Sequence, residues 1–161
     1  MKTLIVFYSN TGNTSKLAKI LASKLESETL EIKDCRNRKG LIGFLRAGFD
    51  AITSNVTIIE NFTEDFTKYD LVLIGTPVWA GRLTPAIRTF LIGNSEVLPE
   101  VAFFATHAGG GTSKTLVQLE KLASQEPLAC LSIEKSDFSN GSIESNQEVI
   151  NYVKTLQKKF E

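Results

Sequence analysis

The sequence has few residues of the kinds that build metal clusters or disulfide frameworks. Its 161 residues include two cysteines, one histidine and one methionine. Cys35 and Cys130 lie far apart in the chain, so they form neither a CxxC pair nor a disulfide framework. A metal cluster needs ligands at a higher density than two cysteines and one histidine provide. We therefore expect no metal site.

Net charge is also absent. Eighteen lysines and arginines balance 18 aspartates and glutamates, which gives a formal charge of zero. Such a chain has no long-range field to attract nucleic-acid phosphates or an anionic membrane surface. We therefore expect neither a nucleic-acid nor a membrane partner, and any anion that the protein binds must be held by local geometry.

Long hydrophobic runs are missing as well. The first apolar run, Leu4 to Tyr8, is too short for a signal peptide or a membrane span, so a cytoplasmic location is expected. Hydrophobic residues make up 42% of the chain, which is enough for a sizeable core. The length is typical of one domain, spanning residues 1–161.

Short apolar runs alternate with helical patterns along the whole chain. Continuous apolar or β-branched runs are typical of strands that are covered on both faces of a parallel sheet. The helical patterns between them predict an α/β fold with a doubly wound, five-stranded parallel sheet. In such sheets, ligands bind at the carboxyl ends of the strands, where the strand order reverses. The five predicted strands cover Leu4 to Tyr8, Thr29 to Lys33, Asp70 to Ile74, Val101 to Ala105 and Leu128 to Ile133.

The loop after the first predicted strand consists of small polar residues. A helix start offers unpaired N–H groups, and hydroxyl side chains add donors, so this loop could hold a phosphate without lysine or arginine. An ordinary turn with Asn13 or Thr14 as the helix N-cap is equally compatible with the pattern. The loop contains neither G-x-G-x-x-G nor a Walker motif, and it has no cysteine that could serve as a phosphatase nucleophile. This first loop is Ser9, Asn10, Thr11, Gly12, Asn13 and Thr14.

Two further loops, after the third and fourth predicted strands, contain glycines and the single tryptophan. Trp79 can offer a flat apolar face to an aromatic ligand, and glycines let backbone N–H groups approach a ligand closely. Taken alone, the tryptophan could equally belong to the core and the glycines to a hinge. The second loop contains Thr76, Pro77, Val78, Trp79, Ala80 and Gly81, and the third contains Thr106, His107, Ala108, Gly109, Gly110 and Gly111.

The segment IVFYSNTGNT at residues 5–14, followed by Ala18 and Leu21, resembles the flavodoxin signature. The second and third loops are similar to the loops that hold the flavin ring in flavodoxin-like proteins. This resemblance covers nearly the whole chain. It implies a three-layer sandwich with strand order 2-1-3-4-5, and non-covalent FMN held by the residues of the three loops.

The resemblance leaves several functions open. The first is a redox protein that transfers electrons between protein partners, a reductase and an acceptor that the sequence does not identify. The alternative is an FMN-dependent NAD(P)H:quinone or flavin reductase, whose relatives form homo-oligomers that enclose the ring. A third is the same fold without a cofactor, used for signalling. The neutral charge and the lack of a tyrosine in the third loop depart from the pattern of acidic electron-carrier flavodoxins.

Three further features have more than one interpretation. The segment from Arg36 to Ile52 predicts a short helix whose apolar residues, Phe49 among them, pack in the core, line a substrate opening or meet another subunit; core packing is the first interpretation. His107 could contact the ring or shuttle a proton, or it could be a solvated loop residue. Cys130 lies within a predicted strand, so we expect it to be buried and unreactive.

Overall fold

A computed structural model describes residues 1–36, 43, 48–140 and 143–161, in which parallel strands alternate with helices along the chain. Three short 3-10 helices, Phe66–Lys68, Ser95–Val97 and Ile143–Ser145, lie in the connections. The strands are β1 (Thr3–Phe7), β2 (Glu28–Glu31), β3 (Leu71–Pro77), β4 (Glu100–His107) and β5 (Cys130–Glu134). The helices are α1 (Asn13–Leu25), α2 (Pro85–Asn94), α3 (Thr112–Ala123), α4 (Asp137–Asn140) and α5 (Gln147–Lys159).

The five strands form one sheet in the order β2-β1-β3-β4-β5, and every neighbouring pair is parallel. This order confirms the one predicted from the resemblance. The three central strands are almost entirely buried, whereas β2 at the edge is half exposed. Burial on both faces explains why the central strands are continuously apolar in the sequence.

Alternate residues of the three central strands point into two separate cores. Ile5 and Phe7 of β1 pack against α1 and α5 on one face of the sheet. Leu4 and Val6 of the same strand pack with residues of α2 and α3 on the other face. Helices therefore cover both faces, as the doubly wound prediction requires.

The start of α2 agrees with the sequence pattern, whereas the start of α1 differs from it. Thr84 is the N-cap of α2 and Pro85 is its first residue, as expected from the preference for proline at this position. For α1, the prediction of Asn13 or Thr14 as N-cap is wrong. The N-cap is Gly12, whose backbone is left-handed with φ 96°, a conformation that glycine adopts without a steric penalty.

Two other expectations need correction. Cys130 is exposed, because it begins β5 at the edge of the sheet. Phe49 is also exposed rather than packed in the core, although residues 48–52 are helical as predicted. The remainder of the predicted helix, including Leu41, Phe44 and Leu45, lies outside the described residues. Within the described ranges, no helix is both long and apolar enough to cross a membrane.

The contact between Gly75 and Phe104 provides a test of how tightly β3 and β4 pack. These residues are direct neighbours across the sheet, and a Cβ at Gly75 would overlap the Phe104 ring. We expect Gly75→Ala to lower the free energy of unfolding by about 1–3 kcal/mol, because an extra methyl in a packed core forces neighbours to shift. Denaturant unfolding measures the change.

Gly93→Ala is the matched control. Gly93 lies in α2, and no heavy atom outside the local helix backbone lies within 4 Å of a Cβ built there. Alanine has the higher helix propensity, so this variant is expected to be neutral or more stable by up to about 1 kcal/mol. Equal destabilisation of both variants would contradict the packing argument.

Candidate ligand-binding site

A cleft of about 760 Å³ lies at the carboxyl ends of β1, β3 and β4, where the three loops meet. Its volume is within the range of about 300–1,000 Å³ that is typical of small-molecule sites. Nine of the predicted site residues line it: Asn10, Thr11, Val78, Trp79, Ala80, Gly81, Ala108, Gly109 and Gly110. Gly48, Phe49 and Ile52 complete the described lining.

The strand order explains why a cleft forms at this place. β1 lies between β2 and β3, so the chain leaves β1 in one direction and β3 in the other. The helices that follow these two strands, α1 and α2, pack on opposite faces of the sheet. The first and second loops therefore diverge and leave a crevice between them, as expected where strand order reverses.

The first loop presents a helix start to the cleft. α1 begins at Asn13, and its N-cap, Gly12, has no side chain that could accept from the first turn; of the N–H groups in that turn, the one of Ser15 donates to Ser9 Oγ at 3.2 Å. Asn10 and Thr11 are exposed and line the cleft. N–H groups at a helix start carry a partial positive charge, so together with the Thr11 hydroxyl they could hold a phosphate.

Two pairs of buried threonines brace the loops. Thr14 Oγ1 and Thr106 Oγ1 are 2.8 Å apart, which links the start of α1 to β4. Thr76 Oγ1 and Thr84 Oγ1 are 3.0 Å apart, which links the two ends of the second loop. Three of these four threonines, Thr14, Thr76 and Thr106, were predicted site residues, and they stabilise the loops from below without lining the cleft.

A tight turn shapes the second loop. The Trp79 N–H donates to the Arg82 carbonyl at 3.1 Å, and the Arg82 N–H donates to the Trp79 carbonyl at 2.9 Å. Both central residues have positive φ, 49° at Ala80 and 71° at Gly81, as type I′ turns require. Trp79 is half-buried, with its ring 5.6 Å from that of Tyr8 in an edge-to-face arrangement. The turn thus fixes the tryptophan at the wall of the cleft.

The second and third loops touch through their backbones. A Cβ built at Gly111 would lie 2.6 Å from Cα of Gly81, closer than real Cβ atoms come to their neighbours. Gly111 is also the N-cap of α3, with φ 89°. A hydrogen bond also joins the same two loops: the Val78 N–H donates to the Thr106 carbonyl at 2.8 Å. Only glycine permits this approach, so Gly111 closes the base of the cleft and does not line it.

Solved structures resemble this architecture over most of the chain. A flavoprotein from Lactobacillus acidophilus NCFM in complex with FMN is 29% identical, over 86% of this chain and 96% of that one, with a TM-score of 0.71. The protein has a flavodoxin-like fold. A putative flavoprotein from Bacteroides uniformis is 20% identical, over 95% and 97% of the two chains, with a TM-score of 0.73. A flavodoxin from Megasphaera elsdenii is 14% identical over 97% and 98%, with a TM-score of 0.63. No family model matches the chain.

The remaining predicted residues of this flavodoxin-like chain frame the cleft. Gly12 precedes α1, and Asn13 is the first residue of that helix. Pro77 and His107 are the last residues of β3 and β4, and both are half-buried. The His107 Nδ1 atom is buried and has no hydrogen-bond partner among the described residues.

Charged residues of both signs lie next to the lining of the flavodoxin-like cleft: two arginines at and after the second loop, and the buried Asp50, paired with Arg36, within residues 48–52. None of the described residues that line it is charged. Arg82 follows the second loop directly, and Arg88 in α2 is buried, with Nε and Nη2 unpaired within the described ranges. Burial lowers the pKa of Arg88, and the nearby Arg82 lowers it further. Within the same ranges, no group of histidine, cysteine, aspartate or glutamate side chains could hold a metal ion.

Three lining residues come from outside the three predicted loops. Gly48, Phe49 and Ile52 belong to the helical residues 48–52, which follow β2 in the chain. The apolar residues of this segment were noted in the sequence, and a substrate opening was one of their interpretations. Their position at this cleft had no local signal, because it depends on tertiary contacts between segments that are far apart in the chain.

The backbone contact between the second and third loops is testable. We expect Gly111→Ala to lower the free energy of unfolding by about 1–3 kcal/mol, because alanine is strained at this φ and its Cβ would collide with Gly81. Denaturant unfolding followed by circular dichroism measures the loss. Gly110→Ala is the control, because Gly110 has an ordinary φ and open space around a Cβ. A Gly111→Ala protein as stable as the control would show that the contact is not required.

Proposed function

We propose that the protein binds FMN non-covalently in this cleft. The observation that supports the proposal is that three loops with different chemistry line one cleft, at the place where the strand order of the sheet reverses. The first loop supplies hydroxyls and an uncapped helix start for a phosphate. Trp79 supplies a flat apolar wall for a ring, and Gly109 and Gly110 leave space for backbone N–H groups to meet a polar ring edge.

The residues of the cleft suit binding and orientation of a cofactor. When bound, FMN supplies one- or two-electron redox chemistry. Around it, the Trp79–Arg82 turn fixes the position of the apolar wall, and the buried threonine pairs fix the spacing of the loops. No acid or base side chain of the described residues lines the cleft, and none is needed where the cofactor carries the reaction.

The physiological role that we infer is electron transfer between protein partners, a reductase that supplies electrons and an acceptor that takes them. The lack of a charged or catalytic side chain in the described lining supports this role. The flavodoxins among the similar structures share the fold.

The role of the first loop is tested by comparing FMN with riboflavin, which has the same ring and no phosphate. We expect the protein to bind FMN at least about tenfold more tightly than riboflavin, because hydrogen bonds to a charged group contribute about 1.5–3 kcal/mol each. Thr11→Val keeps the side-chain shape and removes the hydroxyl, so it should weaken FMN about tenfold and leave riboflavin unchanged. Isothermal titration calorimetry on the apoprotein gives all four affinities.

Thr155→Val is the matched control for this comparison. Thr155 is exposed in α5, far along the chain from the cleft, and its hydroxyl donates to the Asn151 carbonyl within the helix. We expect this variant to bind FMN as the unchanged protein does. Equal affinities for FMN and riboflavin would contradict a phosphate site at the first loop, and the absence of binding by either ligand would contradict the proposed function as a whole.

A second candidate function is an FMN-dependent reductase that acts on NAD(P)H and a quinone or a flavin. The observation that favours it is the apolar rim of Phe49 and Ile52, which would suit a neutral aromatic substrate. An anaerobic titration of the FMN-loaded protein with NADH and NADPH distinguishes the candidates. For a carrier, we expect the visible flavin absorbance to persist with both nucleotides and to bleach with dithionite. Rapid bleaching by either nucleotide would establish the reductase.

A further inference from the structure

The helical residues 48–52 have an unusual distribution of apolar side chains. Ala51 and the charged Asp50 are buried at 0% and 4% exposure, whereas Phe49 and Ile52 are 63% and 59% exposed. Positions 49 and 52 are three residues apart, so they share one side of the helical turn. The segment therefore turns its large apolar side chains outward, and these two side chains line the cleft.

Several hydrogen bonds hold this orientation. Asp50 accepts from Asn55 Nδ2 at 3.1 Å and pairs with Arg36 Nη1 at 3.5 Å. The Thr53 N–H and hydroxyl both donate to the Phe49 carbonyl, at 3.0 and 2.8 Å. Polar contacts thus fix Asp50 on the buried side of the segment. As a consequence, Phe49 and Ile52 on the exposed side face the cleft.

The third loop cannot supply an apolar wall of its own. Ala108, Gly109 and Gly110 line the cleft there, and none has a side chain larger than a methyl group. On the other side, Trp79 and Val78 are the large apolar side chains of the second loop. An exposed phenylalanine and isoleucine in the same uncharged concavity mark a site for an apolar ligand surface.

We propose that Phe49 and Ile52 form a fourth wall of the flavin site, which packs against the ring and shields it from water. The proposal rests on the proposed binding of FMN. The occupant is the ring and not a second protein surface, because the two side chains are continuous with the cleft that Trp79 lines, and because its described lining is uncharged. The wall gives the long connection between β2 and β3 a role in cofactor binding.

The test uses Phe49→Ala and Ile52→Ala, with Ile92→Ala as the matched control. Ile92 lies in α2 with 58% exposure, close to that of Ile52, and it does not line the cleft. Each cleft variant is expected to bind FMN about three- to tenfold more weakly, because apolar contact with the ring is lost. Riboflavin should weaken by the same factor, because the wall contacts the ring and not the phosphate.

The heat capacity change of binding provides a second test, because it would not change if the two side chains only stabilised the fold. Burial of apolar surface makes this change negative, so titrations at several temperatures should give a less negative value for Phe49→Ala and Ile52→Ala. Ile92→Ala should keep both the affinity and the heat capacity change of the unchanged protein. Thermal unfolding of the three apoproteins should give similar midpoints, because all three side chains are exposed.

The outcomes separate this inference from the proposal on which it rests. If the unchanged protein binds neither FMN nor riboflavin, the proposed function fails. If FMN binds and Phe49→Ala has the affinity and heat capacity change of Ile92→Ala, the fourth wall is wrong. The remaining alternative is that the two side chains form a subunit interface, which sedimentation equilibrium tests. A dimer that Phe49→Ala dissociates, with no effect on FMN affinity, would establish that interface and contradict the fourth wall.

Discussion

The parallel pairing of β1 with β3 and of β3 with β4 is the constraint on which the site depends. Phe7, the last residue of β1, pairs with Gly75, and Pro77 at the end of β3 pairs with Thr106. The loops that follow these three strands therefore leave one edge of the sheet from fixed positions. Because these strands are buried on both faces, a shift of this register would move side chains from one packed core into the other, so the register and the starting points of the loops are fixed by core packing.

Small groups make the contacts between the loops. The Thr14–Thr106 pair is buried, and the Gly81–Gly111 contact joins two backbones directly. The left-handed backbone at Ala80 costs of order 1 kcal/mol, which the two hydrogen bonds between Trp79 and Arg82 offset. Strain of this kind is typical of ligand sites, where the surrounding structure holds a residue in an unfavourable backbone conformation.

The parts of the fold that local pattern governs could be predicted from the sequence. Four strands follow from apolar runs, the second strand from alternating apolar and polar residues, and the helix at Pro85 from its capping residues, while the strand order follows from the resemblance. The errors lie where tertiary placement decides. The apolar run at Cys130 predicted burial, but an edge position exposes its thiol. Phe49 has the sequence pattern of a core residue, but the burial of Asp50 turns it outward into the cleft.

The electrostatics of the site follow from the same distribution of residues. A chain with no net charge has no long-range field, so the nearest charged groups dominate at the second loop. Those groups are Arg82 and the buried Arg88, whose Nε and Nη2 atoms have no partner among the described residues, and burial of an unpaired guanidinium is costly. A positive charge in a region of low dielectric lowers the energy of negative charge that develops nearby. At the second loop, the uncharged described lining and Arg82 therefore favour a ligand group that gains negative charge, whereas the buried carboxylate of Asp50 within residues 48–52 is paired with Arg36.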